Sequence, residues 1–257
     1  MEISYPELWL LEVPVRCDTV MPFPFVVETE FDRECGFSQR WGVPLNGLSL
    51  RQIAETMWSL HQRGEVEFWS GSWAEAGQEL YRPSSICQVE DCLEREWQTF
   101  RTAKQSASHY HRYSLTPTGM ARWEAYAQPD WSRFRGEGRF HDGQPGLTTW
   151  FQFATNERFA REVLEVMAMD VFHPVTLDWR NALVSDIAPW EAMPGKTFAR
   201  GVKVSVPAMQ SEQRGILCQE WSMVGANHSE YYRRFGEICR WYQRGVEDHP
   251  DRPQPPE

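Results

Sequence analysis

The dipeptide Thr116-Pro117 constrains this chain more than any other feature. It stands within YHRYSLTPTGMARWEAYAQPDW, residues 110–131. Residues 109–115 alternate apolar and polar side chains, the period of a half-buried strand. Proline then removes a backbone donor and ends the strand. It also suits the first turn of a helix, where its missing N–H has no intrahelical partner to lose, and Thr116 is a suitable cap. Met120, Trp123 and Ala127, with Tyr126 beside them, fall on one face of the helix that follows. Gln128-Pro129-Asp130 closes it. The stretch therefore predicts a strand, a turn and a core-facing helix.

Upstream, Ser49 and Gln52 have the spacing of a capping box. Leu50, Ile53, Ala54, Met57 and Leu60 recur at helical spacing, and Gly64 stands where a left-handed cap residue belongs. Glu65–Trp69 predicts a short strand and residues 70–79 a loop. Ser84 or Ser85 caps a second helix, with Ile86, Val89, Leu93, Trp97 and Phe100 as its buried stripe. Glu90, Asp91, Glu94 and Glu96 are expected on its solvated face, and the helix fades near Lys104. The run Tyr113-Ser114-Leu115-Thr116-Pro117-Thr118-Gly119 resembles the wing-to-last-helix segment of bacterial winged helix-turn-helix domains. Leu48–Phe68 resembles the earlier helix and strand of such domains. The resemblance covers residues 45–135. It departs from the family pattern in the length between Gly71 and His109 and in the lack of a clean helix before Leu48.

The flanks read differently. Leu8–Val15 and Phe23–Val27 are interrupted by Pro14, Pro22 and Pro24, which predicts edge strands or extended packing segments and no helix. Residues 28–46 read as a loop. Residues 135–146, RGEGRFHDGQPG, hold four glycines and a proline and are expected to link two domains. Beyond them come a strand at Leu147–Ala154, a helix capped by Thr155 or Asn156 and running to Met169, and a strand over 173–179. Residues 181–197 read as irregular. A strand at Val202–Val206 ends at Pro207 and pairs with another at Ile216–Val224. A last helix runs from His228 to Gly245. The expected fold class is α+β: a winged-helix-like domain over 1–135, a small α/β sandwich over 147–246 and a disordered tail over 247–257.

Charge narrows the function classes. The net charge is −10, with 3 basic against 8 acidic residues in 1–44, 11 against 12 in 45–140, and 12 against 16 in 141–257. No segment carries the basic footprint of a nucleic-acid binder. Only 3 of the 26 basic residues are lysine, and there are 13 tryptophans, a composition suited to planar ion pairs and aromatic contacts. The six cysteines form no CxxC pair and read as free, mostly buried thiols. Cys87 and Cys92, five apart, do not share a helix face. No apolar run reaches the ~20 residues of a membrane span, and the first residues lack the features of a signal peptide, so a cytoplasmic protein is expected.

Catalytic signatures are absent: no GxSxG, HExxH, phosphate-binding loop or dinucleotide fingerprint occurs. A Ser/Cys–His–Asp arrangement stays open, because triads are assembled in space. His109-x-His111 could place two imidazoles on one face of a strand, but a metal site needs further ligands. No catalytic residue, metal ligand or cofactor is therefore assigned. The expected binding residues are Arg51, Gln52 and Arg63 on the first helix, Trp69, Trp73 and Trp131 at element ends, and Arg112 on the wing. The expected function is non-enzymatic protein binding, of an immunity, antitoxin or adaptor kind, with a basic partner. A DNA-binding regulator and an enzyme without a recognisable motif are the alternatives.

Overall fold

Tyr5–Arg16 forms helix α1, and α1 is the centre of the first core. Leu8, Trp9, Leu10, Leu11 and Val13 are all buried, as is Glu12. This corrects the expectation of extended structure. A helix enclosed on every side carries no polar stripe, so its sequence shows no helical period. Pro14 sits in its last turns and leaves the Leu10 carbonyl without its helical N–H. The Tyr113 hydroxyl donates to that carbonyl at 3.0 Å. Glu12 is satisfied in the same way from outside the helix, accepting from Tyr242 Oη at 2.8 Å and Val246 N at 2.9 Å.

The computed structural model describes residues 2–16, 20–23, 29–30, 38–39, 46–71, 79–102, 110–142, 147–169, 175–210, 234, 236–238 and 240–253. Its mixture of helices and antiparallel sheets is α+β. After α1 come short strands β1 (Val20–Pro22), β2 (Thr29–Glu30) and β3 (Ser38–Gln39), then α2 (Leu50–Gln62), β4 (Val66–Gly71) and β5 (Glu79–Tyr81). Helix α3 (Ile86–Thr102), β6 (Tyr110–Leu115) and α4 (Pro117–Ala127) follow. The antiparallel sheet runs β1-β6-β4-β5. Helix α2 has the expected capping box of Ser49 and Gln52, and Gly64 takes a φ of +67° beyond its end. Thr116 caps α4 through Gly119 N. Its backbone N–H and hydroxyl also tie to Glu65 O and Gly64 O, joining the ends of α2 and β6.

Residues expected to form a linker are a strand. Arg135–Asp142 (β7) pairs with Leu147–Ala154 (β8), with a register shift between Arg135 and Gly138. Gly136 answers a packing need here: a Cβ on it would lie 2.7 Å from the Trp190 ring. Helix α5 (Glu157–Ala168), capped by Asn156 as expected, covers β8 and the long strand β13 (Gly201–Gln210). The stretch 181–197, expected to be irregular, holds β10 (Leu183–Ile187), β11 (Trp190–Met193) and β12 (Lys196–Phe198). With β9 (Val175–Leu177), these precede β13. The sheet runs β10-β13-β8-β7, and β9 also pairs with β13.

Pro207 does not end β13. Strand β10 pairs with residues up to Ser205 and β9 from Ala208 onward, so Pro207 falls in the gap between two partners. Its carbonyl accepts from Asp178 N at 2.8 Å, and no ladder bond needs the N–H it lacks.

The two halves share a core. Met193 is buried in the α1 cluster, and Trp190 and Phe198 pack against it. Near the end of the described chain, Arg234 and Gly236–Ile238 are helical, but Arg240–Gly245 are not, which shortens the expected last helix. The chain turns there to bury Trp241 and Tyr242 against Trp123, with ring centroids 5.5 and 5.6 Å apart. Asp130 N donates to Trp241 O at 2.7 Å and Gln243 N to Ala127 O at 2.9 Å, fixing the turn. Residues 246–253, most of them expected in a disordered tail, are folded: Val246–Asp248 is a 3₁₀ turn, and Val246 and His249 are buried. The expected strand at 216–224 lies outside the described residues.

Candidate functional site

The expected binding residues do not converge on one free surface. Arg51 is exposed on α2 but paired with Glu55 at 2.7 Å and Glu90 at 2.5 Å. Gln52 is occupied in the capping box. Arg63 belongs to a ring of ion pairs: it reaches Glu7 at 2.7 Å and Glu65 at 2.9 Å, while Arg122 reaches the same two carboxylates at 2.9 and 2.7 Å. This ring fastens α1, α2 and α4 to the start of β4. Arg112, expected on an exposed wing, is buried, because β6 is an inner strand flanked by β1 and β4. Trp69 is half-buried on β4 and donates through Nε1 to Ser114 Oγ at 3.0 Å. Trp131 lies within an aromatic cluster with Trp241, Phe134 and Phe198 at 5.0, 5.5 and 5.7 Å, and Lys196 Nζ stands 4.2 Å from its ring. It is partly buried, packed against the core. Trp73 lies outside the described residues, as does His109.

The most exposed apolar surface is at the edge of the second sheet. Among the described residues β10 pairs only with β13, along one of its two edges. Leu183 is 73% exposed and Val184 42%. Leu183 stands opposite Ser205, so alternation along β13 puts Leu183, Pro207 and Met209 on one face; Met209 is 50% exposed. A run of five residues with both faces open departs from the usual protection of sheet edges by charge or cover. Asp186 is the charged residue on β10, and it is paired with Arg200 at 2.7 Å. Elsewhere, a cavity of about 440 Å³ lies between β6 and the β11–β12 hairpin, and its charged lining is Glu67 and Glu191.

A second constellation was not visible in the sequence. Cys92 and Glu96, four apart on α3, share a face of that helix and are both buried. They meet His111 on β6 and Tyr81 on β5. Glu96 accepts from His111 N at 3.0 and 3.1 Å and closely engages His111 Nδ1. Tyr81 Oη lies 3.6 Å and Arg95 Nη2 3.5 Å from Cys92 Sγ. His111 also hydrogen-bonds the Cys92 side chain. Burial works against both charges. For Cys92, the hydrogen bonds from His111 and Tyr81 and the nearby charges outweigh it, and the thiol is held below its ordinary range. For His111, Cys92 and Glu96 outweigh burial and hold the imidazolium up to about 9. The arrangement favours the thiolate form of Cys92 and the imidazolium form of His111, with a carboxylate behind the histidine. Glu96 had been expected on the solvated face of its helix. A carboxylate four residues from a cysteine was the available signal, but nothing local tied it to a histidine fifteen residues on.

Among the described residues, no group of three or more His, Cys, Asp or Glu has the arrangement of a metal site, and no helix is long and apolar enough to cross a membrane. Comparison with protein families, with characterised proteins and with solved structures finds no match to this chain.

Proposed function

We propose that this protein acts by holding a protein partner on a winged-helix-like scaffold, in the manner of an immunity, antitoxin or adaptor protein. The observation that carries the reading is the exposure of Leu183 and Val184 on β10, a strand that pairs with β13 alone among the described residues. A partner that adds a strand there bonds the second edge of β10 and covers the apolar side chains at once. The net charge of −10 favours a basic partner, since complementary charge speeds encounter and disfavours acidic competitors. Trp69 and Trp131, two of the aromatic residues first expected to anchor the partner, are engaged in contacts within the chain, so this reading takes the docking surface to the second half.

Co-purification from the native cell tests this. A basic protein recovered in stoichiometric amount with the wild-type chain, and lost with Leu183→Asp and Val184→Asp, is the expected result. Both side chains are exposed, so the substitutions leave the fold intact, which circular dichroism checks. Absence of a stoichiometric partner, or a partner that binds both variants as well as wild type, would sink the reading.

A further inference from the structure

Cys92 stands at the centre of a built site. Three side chains from three elements converge on it: His111 from β6, Tyr81 from β5 and Arg95 from its own helix α3, with Glu96 of that helix holding the histidine. A buried structural cysteine is inert and sits in apolar surroundings, whereas a reactive one sits beside cationic groups and hydrogen-bond donors. Cys92 has the second environment. Its neighbour Cys87, on the same helix, is exposed and outside the cluster.

The geometry also limits the substrate. Cys92 is seven residues into α3, so its backbone N–H belongs to the helix and is not free to hold a developing oxyanion. The residue is 6% exposed, which shuts out an acyl chain or peptide. A two-oxygen molecule needs little room, and the Tyr81 hydroxyl and the Arg95 guanidinium flank the sulfur where its oxygens would lie.

We propose that Cys92 is a peroxide-reactive thiolate, with hydrogen peroxide or another small hydroperoxide as its substrate and His111 as the proton donor. The thiolate sulfur attacks one peroxide oxygen. A sulfur–oxygen bond forms, the O–O bond breaks, and its electron pair leaves on the distal oxygen. That oxygen takes the proton of the His111 imidazolium and departs as water, or as an alcohol from an alkyl hydroperoxide. Cys92 becomes a sulfenic acid, oxidised by two electrons, and the peroxide is reduced by two. Glu96 holds the imidazole in place and is a positioning residue. Cys87 lies about 140° away around the helix at 3.6 residues per turn, so it does not close a disulfide with Cys92.

The test is sulfenic-acid trapping on the full chain. The native protein is exposed to hydrogen peroxide, the peroxide is removed with catalase, and the protein is then unfolded in dimedone so that the adducts are located by peptide mass mapping. Cys92 is expected to be labelled faster than Cys87 by about tenfold or more, against the order of their exposure. His111→Gln is expected to slow Cys92 by a similar factor, leave Cys87 unchanged as an internal control of folding, and abolish the thiolate absorbance near 240 nm at neutral pH. Glu96→Gln is expected to give a partial loss of both signals. Labelling of Cys87 ahead of Cys92, or a Cys92 rate and thiolate absorbance untouched by His111→Gln, would overturn the proposal.

Discussion

The hydroxyl of Tyr113 donates to the carbonyl of Leu10 at 3.0 Å, across 103 residues of sequence. The bond exists because Pro14 cannot supply the N–H that a helix would send to the same carbonyl. One proline inside α1 is thus tolerated because an inner strand of the sheet brings a phenol to the vacant acceptor.

Replacing Tyr113 by phenylalanine should therefore cost about 1–3 kcal/mol, the penalty of leaving a buried carbonyl unsatisfied. Urea unfolding of the variant measures it. Pro14→Ala, made in the Tyr113→Phe background, restores a helical N–H to Leu10 and should recover most of the loss. Strictly additive effects of the two substitutions would show that the phenol and the proline are unrelated.

The ring formed by Glu7, Arg63, Glu65 and Arg122 predicts a pH dependence. Burial disfavours the charged form of Glu7, but hydrogen bonds from Arg122 and Ser4 and the Arg122 charge outweigh it and hold its pKa at about 2. A carboxylate whose folded pKa lies below its unfolded value binds protons preferentially when unfolded. Its stabilisation is fully present above the ordinary carboxylate range and is lost as pH falls from about 4.5 toward about 2. Glu7→Gln should be less stable at neutral pH and should flatten the acid limb of the stability curve. Denaturant titrations of both proteins between pH 2 and pH 7 compare the slopes, and parallel curves would rule out Glu7 as the source.

Elements with a surface stripe and a local cap were legible in the sequence. Ser49 with Gln52, Thr116 with Pro117, and Asn156 each mark a helix start that the structure retains, because a cap is a contact between residues three positions apart. Helix α1 was not legible, since its signal is uniform burial and its proline is compensated by a residue more than a hundred positions away. The strand at Arg135–Asp142 was hidden by a glycine-rich composition in which Gly136 makes room for Trp190. The Cys92 cluster was legible only as separate residues. Three of its members share a helix, but their partners come from strands whose pairing the local pattern does not specify.

The placement of the α2 arginines predicts weak contact with nucleic acid. Arg51 and Arg63 each meet two carboxylates, so a phosphate would have to displace partners already bound. Fluorescence anisotropy with mixed-sequence duplex DNA at low salt should show no salt-sensitive binding, and Arg51→Ala should leave the curve unchanged. Binding that weakens steeply with added salt would restore the DNA-binding reading, because counterion release is the signature of phosphate contact.

The folded segment after Gly245 gives the last prediction. Ring nitrogen Nε2 of His249 lies 2.9 Å from Ile3 O, its Nδ1 accepts from Asp251 N at 3.1 Å, and its ring stacks on Tyr126 and meets Tyr5 edge-on. The accepting role of Nδ1 makes Nε2 the protonated nitrogen and the donor to Ile3. Removing the imidazole leaves a carbonyl and an N–H without these partners and opens a gap between two tyrosines. His249→Ala should therefore destabilise the protein by about 1–3 kcal/mol, read as a lower denaturant midpoint with the slope unchanged. A solvated tail would give no change at all, so the same measurement separates a C-terminal segment that clasps α1 from one that trails in solvent.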